Sequence, residues 1–182
     1  ARILTKHGVK KVDIKVIETE PQEPTETKEN ISISIHKNIE EIKDSNFDII
    51  IAFDVLDHIP DSLSPLRILI NMLRKNGIFY TRTTFFEGFV RIFDKFGIPF
   101  DLIYPEHVHD LGKDFWNGFF SNVAPDLEDD FDLIHSKPSC VENTLSKNFL
   151  RTLLAYIFKS GYYIFRDSYN LVGGWEVVIR RR

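Results

Sequence analysis

Glycine is scarce through the first half of this chain: Gly8 is the only glycine before Gly77. No G-x-G-x-x-G follows any candidate strand, which disfavours a nicotinamide-dependent enzyme. Cysteine is nearly absent. Cys140 stands alone, which excludes an internal disulfide and suits a reducing cytosol. No uncharged apolar run approaches the roughly 20 residues of a membrane-spanning helix. Excess positive charge is also missing: a net charge of −4 and a pI of about 5.9 argue against a nucleic-acid footprint. The expectation is a soluble, cytoplasmic protein with no nucleic-acid partner and no transmembrane segment. At 182 residues, with 43% hydrophobic and 27% charged residues, the chain is expected to form one domain with a sizeable core.

The richest stretch runs from Phe47 to Asp61. Six of the seven residues from Phe47 to Phe53 are apolar, with Asp48 the only charge. A strand so apolar at successive positions predicts both faces covered, in the middle of a parallel sheet flanked by helices. Ligands of open α/β sheets bind beyond the carboxyl ends of such strands, where Asp54 to His58 would lie.

Around it, Thr19 to Asn30 reads as a Pro- and Glu-rich loop. Ile31-Ser32-Ile33-Ser34-Ile35 alternates strictly, as a half-exposed edge strand does. Asn38 to Ile42 predicts a short helical turn. Ser62 to Arg74 predicts a helix capped by Asp61 or Ser62, with Leu66, Leu69, Ile70 and Leu73 on one face and Gly77 ending it. Phe85 to Asn122 predicts two short helices joined by the loop from Gly97 to Gly112. Phe131 to His135 predicts a strand, and Thr144 to Phe158 a helix with Leu150, Leu153, Leu154 and Ile157 as its apolar stripe.

The segment from Phe47 to Asp61 resembles the fourth strand and following loop of class I S-adenosylmethionine-dependent methyltransferases, with Asp57 where Glu is usual. Lys75-Asn76-Gly77 is similar to the family's next turn, and Ile78 to Thr83 to its fifth strand. Tyr104-Pro105-Glu106-His107-Val108-His109 is similar to a histidine-bearing loop near the substrate pocket, and Gly173 to Ile179 to the final antiparallel strand. The resemblance implies a Rossmann-like α/β sheet, mostly parallel with an antiparallel last strand, flanked by helices. The family's first strand and glycine-rich loop have no counterpart. Ala1 to His7 resembles the tail of the helix after that loop, and Val12 to Glu20 the second strand. The chain is therefore expected to be an N-terminally incomplete version of such a domain. A strand missing from the sheet's centre would leave unpaired edges, which invite pairing with another chain and leave a homo-oligomer open.

The implied cofactor is S-adenosyl-L-methionine. Glu18 and Glu20 are the candidates for its ribose hydroxyls, since a carboxylate accepts hydrogen bonds from both. Asn38, with Ile39 beside it, takes the adenine position, although Asn38 equally suits a helix cap. Phe53, Asp54 and Val55 would border the adenosine and methionine portions. His58 lies at the same mouth, where it is a base or a turn residue. His107 and His109, two apart in an extended loop, could face one pocket and deprotonate an acceptor hydroxyl, position substrate, or serve structure alone. No metal is expected, because H-x-H without a second Cys or His cluster is a weak signal. Residues 85–125 read as an aromatic-rich helical cover. Those rings first suggest core packing, and second a pocket for an apolar or aromatic small molecule. The leading expectation is methyl transfer to a small molecule, with oxygen favoured. The alternative is a non-catalytic methyltransferase-like module that pairs with another chain.

Overall fold

A computed structural model describes residues 12–17, 31–97, 108–140 and 149–182. The chain divides into two compact units, Ala1–Asp44 and Ser45–Arg182. In the first, β1 (Val12–Ile17) and β2 (Ile31–His36) pair in parallel, with Val12 opposite Ile31 and Ile17 opposite His36. Lys15 lies between Asp13 and Asp44, at 3.6 and 3.3 Å. A 3₁₀ turn at Ile39–Glu41 follows β2.

The second unit holds a four-stranded mixed sheet in the order β3-β4-β6-β5. β3 (Phe47–Phe53) runs parallel to β4 (Leu73–Phe85). β6 (Gly173–Arg181) lies antiparallel to both β4 and β5 (Phe131–Cys140), as expected of the last strand. The helices are α1 (Leu63–Asn71), α2 (Glu87–Lys95), α3 (Lys113–Asn117) and α4 (Phe149–Phe165).

Alternation along the strands sorts the two sheet faces. Phe79, Thr81, Thr83 and Phe85 of β4, with Trp175, Val177 and Ile179 of β6, are buried on one face together with Leu66, Ile70, Trp116 and Phe119. Polar groups on this face are bonded: Thr81 Oγ1 donates to the Ala52 carbonyl and Thr83 Oγ1 to the Leu111 carbonyl, both at 2.7 Å. Trp116 Nε1 donates to Thr83 Oγ1 at 3.3 Å. On the opposite face, Ile49 and Ile51 are each 58% exposed. The expectation that β3 is covered on both sides is thus corrected. Among the described residues β3 ends its sheet, and Ile49 and Ile51 stay largely exposed on that face.

Two boundaries also move. α1 ends at Asn71, and Met72 already accepts from Asn46 N and Phe47 N at 2.8 and 2.9 Å, so β4 starts at Leu73. Gly77 therefore sits inside the strand, where a Cβ would lie 2.8 Å from the carbonyl oxygens of Arg74 and Phe47. Close approach of two backbones requires glycine there, not helix termination. Ser62 occupies the N-cap of α1 without a side-chain capping bond, and Asp61 just before it steadies the first turn, its carboxylate accepting Ser64 N at 3.3 Å and Ser64 Oγ at 2.6 Å. Those bonds hold the Asp61 carboxyl below its ordinary pKa.

Candidate functional site

The carboxyl ends of β3 and β4 meet at a turn built on Asp54. The strand stops because Asp54 takes a left-handed conformation (φ 47°), which Asp tolerates better than most residues. Its amide donates to the Arg82 carbonyl at 2.9 Å. Arg82 Nη2 in turn donates to Asp54 Oδ2 at 2.7 Å, and the guanidinium lies 5.5 Å from the Phe53 ring centre. Pairing with Asp54 holds the Arg82 pKa above its ordinary value. Beneath this pair, Tyr80 meets Phe53 edge-on and donates to Glu176 Oε1 at 2.6 Å. Removal from water, then the Glu176 carboxylate, push the Tyr80 phenol up to about 12. Phe53 and Val55 expose apolar surface beside the pair.

A 3₁₀ turn, Leu56–His58, carries the chain onward, with Leu56 and Asp57 buried. Asp57 connects three segments. Its carboxylate accepts Thr84 N at 3.4 Å from the end of β4, and its carbonyl accepts Val108 N and His109 N at 2.8 and 3.2 Å. This brings His109 to the same rim as His58. His109 Nε2 is 2.9 Å from the Pro60 carbonyl, so Nε2 carries the proton and donates, leaving Nδ1 as the acceptor. His58 is exposed on its turn, with its amide donating to the Val55 carbonyl at 3.1 Å.

Asp110 completes the rim. Although the residue as a whole is exposed, its carboxyl lies at the start of α2, where Oδ2 accepts Phe86 N at 3.1 Å. Partial removal from water is the main cause that raises its pKa. The Glu87 and Asp57 carboxylates add to it, while the Phe86 N–H opposes.

The second unit therefore gathers Phe53, Asp54, Val55, His58 and His109. Asn38 and Ile39 belong to the first unit: Asn38 is exposed at the start of its 3₁₀ turn and makes no side-chain capping bond, and Ile39 is half-buried. Glu18, Glu20 and His107 lie outside the described residues. Among the described residues, no group of three or more His, Cys, Asp or Glu is placed to hold a metal ion. The aromatic segment divides. Trp116 and Phe119 are fully buried and meet Phe115 and Phe120 in edge-on or tilted contacts, so these rings are core. The recess between α2 and α3 is polar, lined by Glu87, Gly88, Arg91, Lys113, Asp114 and Asn170.

Sequence reasoning passed over Arg82, noted Asp57 only for standing where Glu is usual, and did not foresee the contacts of Asp110. Arg82 offered one signal, a lone cation in a strand otherwise free of charge from Ile78 to Phe85. Its pairing with Asp54 follows from register, since Phe53 lies opposite Arg82. The bond from Phe86 to Asp110 spans 24 residues and has no local signature.

A family model described as a methyltransferase domain matches residues 26–88, the span that contains β2, β3, α1 and β4. No curated protein sequence matches the chain. Among solved structures, an S-adenosylmethionine-dependent methyltransferase from Mesorhizobium loti is similar at 12% identity, with a TM-score of 0.50, over 99% of this chain and 84% of that one. The YcgJ protein of Bacillus subtilis is similar at 16% identity and a TM-score of 0.41, over 84% of this chain and 70% of that one. Coclaurine N-methyltransferase, solved with N-methylheliamine and SAH, is similar at 13% and 0.39, over 84% and 51%. At these identities the likeness concerns fold. The chain carries a methyltransferase-domain match over residues 26–88 and the Rossmann-like fold of the class I S-adenosylmethionine-dependent methyltransferases.

Proposed function

We propose that the chain is an S-adenosylmethionine-dependent enzyme that methylates a small-molecule acceptor, with a hydroxyl oxygen the favoured atom. The observation that carries this reading is the Asp57 carbonyl, which holds the His109 backbone at the carboxyl ends of two parallel strands. That is where an open α/β sheet places its ligands. The residues present suit the cofactor: exposed apolar surface at Phe53 and Val55 stands beside a carboxylate at Asp54. Asn38 has an uncapped amide to offer an adenine, with Ile39 beside it, and Glu18 or Glu20 takes the ribose hydroxyls. When bound, the cofactor supplies an electrophilic methyl group.

The protein's own contribution is placement and proton removal. Orienting the acceptor is worth about 7–11 kcal/mol, and a positioned base about 10²–10⁴-fold. His109 can act as that base through Nδ1, because Nε2 is committed to Pro60. His107 and His58 are its alternates, and residues 85–125 cover the acceptor within a single cytoplasmic domain. No metal takes part in this reading.

Calorimetric titration of S-adenosylhomocysteine into the 182-residue chain tests the cofactor site. Binding should weaken about tenfold or more, or 1.4 kcal/mol, in Glu20→Ala, Asn38→Ala and Asp54→Asn. No heat from protein shown to be folded would remove the enzyme reading. A second reading then stands, a non-catalytic module that pairs with another chain or a second copy. The exposed side chains of Ile49 and Ile51 on the end strand favour it.

A further inference from the structure

One arginine holds the turn that ends β3, and it does so twice. Asp54 has a left-handed backbone (φ 47°), which is unfavourable for any residue with a Cβ. Such a residue keeps its conformation only where its neighbours over-determine it. Arg82 supplies both restraints. Its carbonyl accepts the Asp54 amide at 2.9 Å, and its guanidinium grips the Asp54 carboxylate, Nη2 on Oδ2 at 2.7 Å and Nε on Oδ1 at 3.5 Å. The Asp54 side chain is still 40% exposed, so its carboxylate is aimed and also open to a ligand.

Arg82 is in turn held from across the sheet. Register sets Glu176 of β6 opposite Arg82 on one side and Phe53 of β3 opposite it on the other. Tyr80, two residues earlier on the same face of β4, fixes Glu176 by donating to its Oε1 at 2.6 Å. Lys137, opposite Glu176 on β5, is engaged by Asp167 at 2.6 Å. Asp54 first, and Tyr80 and Glu176 to a lesser degree, favour the charged guanidinium. Charge therefore alternates from Asp54 through Arg82 to Glu176. Without the cation, two carboxylates would flank β4, and Asp54 would lose the partner that aims it. Folding alone does not account for this placement, because a solvent-reached ion pair contributes little to stability. Arg82 is the one charge between Ile78 and Phe85, and it stands at the carboxyl end of its strand, where open α/β sheets take ligands.

We propose that Arg82 is a positioning residue of the cofactor site: it aims the Asp54 carboxylate and fixes the turn that presents Phe53 and Val55, while Glu176 and Tyr80 keep its guanidinium in place. This role rests on S-adenosylmethionine binding at Asp54. Calorimetric titration of S-adenosylhomocysteine into the 182-residue chain tests it, as a double-mutant cycle on variants shown to be folded by circular dichroism. Arg82→Gln and Asp54→Asn should each bind about tenfold more weakly than the parent. The double variant should also lose about tenfold, not about a hundredfold, because both changes remove the same interaction. Arg82→Lys keeps the charge without the two-pronged hold and should fall between Arg82→Gln and the parent. Should Arg82→Gln not fold, Arg82→Lys replaces it in the cycle: a loss that vanishes beside Asp54→Asn supports the role, and no loss, or one that persists, overturns it. Equal affinity in the parent and Arg82→Gln would overturn the role while the cofactor site stands. Losses that multiply in the double variant would overturn it too, by giving Arg82 a ligand contact of its own. A folded parent that binds nothing would remove the cofactor site itself, and the role with it.

Discussion

α1 and α4 carry apolar residues at the same helical spacing and place them on opposite sides of the protein surface. In α1, Leu66 and Ile70 have no exposed surface, and Leu73 just beyond the helix is equally enclosed. In α4, Leu153, Ile157 and Ile164 face water, and the side that carries Phe158 and Tyr162 holds the helix down. Periodicity shows that a stripe exists; it does not show which neighbour receives it. α1 lies over the closed face of the sheet, among Phe79, Ile179 and their partners, whereas among the described side chains of α4 it is Tyr162 that packs against the core. A stripe that a fold leaves uncovered has another destination or no function.

Core truncation on α1 should give the largest effect. Leu66→Ala and Ile70→Ala each remove a fully buried side chain and should cost about 2–5 kcal/mol in urea unfolding. A cost near zero would mean that α1 is not packed as described, and the contrast with α4 would fail from that side.

The anchor of α4 comes next. At Gly161 a Cβ would lie 2.3 Å from Tyr169 Cζ, and Tyr169 is itself held by the Phe158 carbonyl and stacked on Phe165 at 6.1 Å. Gly161→Ala should therefore cost about 1–3 kcal/mol by overpacking. By contrast, Ile157→Ser and Ile164→Ser on the exposed side should each stay within about 0.5 kcal/mol of the parent. Equal losses at Gly161 and Ile164 would show that both sides of α4 are covered.

What was legible in the sequence was local. The apolar run at Phe47–Phe53 gave β3, the alternation at Ile31–Ile35 gave β2, and the spacing of Leu66 and Ile70 gave α1. The expected end of the Phe47–Phe53 strand is where β3 stops, so Asp54, Val55 and His58 follow it directly. What stayed hidden was set by contacts distant in sequence. The exposure of Ile49 and Ile51 depends on β3 ending its sheet, which composition cannot report. The early start of β4 depends on Asn46 and Phe47 reaching Met72, although Arg74 to Gly77 reads as a turn. Arg82 reached the site through register with Phe53, and His109 through the Asp57 carbonyl.

The smallest effect sharpens how α1 is held from outside the core. Arg67 on its outer side meets Asp126 through both Nη1 and Nη2, at 2.8 and 3.0 Å, and also donates to the Val123 carbonyl at 3.2 Å. The guanidinium holds the Asp126 carboxyl below its ordinary pKa. A carboxylate with a depressed folded pKa contributes stability that is full above its unfolded pKa and is lost as pH falls through the folded one. Both partners are substantially exposed, so the contribution is small and screened by salt. Arg67→Gln should therefore lower the urea midpoint slightly at neutral pH. The gap to the parent should persist down to about pH 4 and close only below it, as Asp126 takes up its proton. A gap that survived at pH 2, or one unmoved by salt, would mean that Arg67 steadies α1 through the Val123 carbonyl instead of through charge.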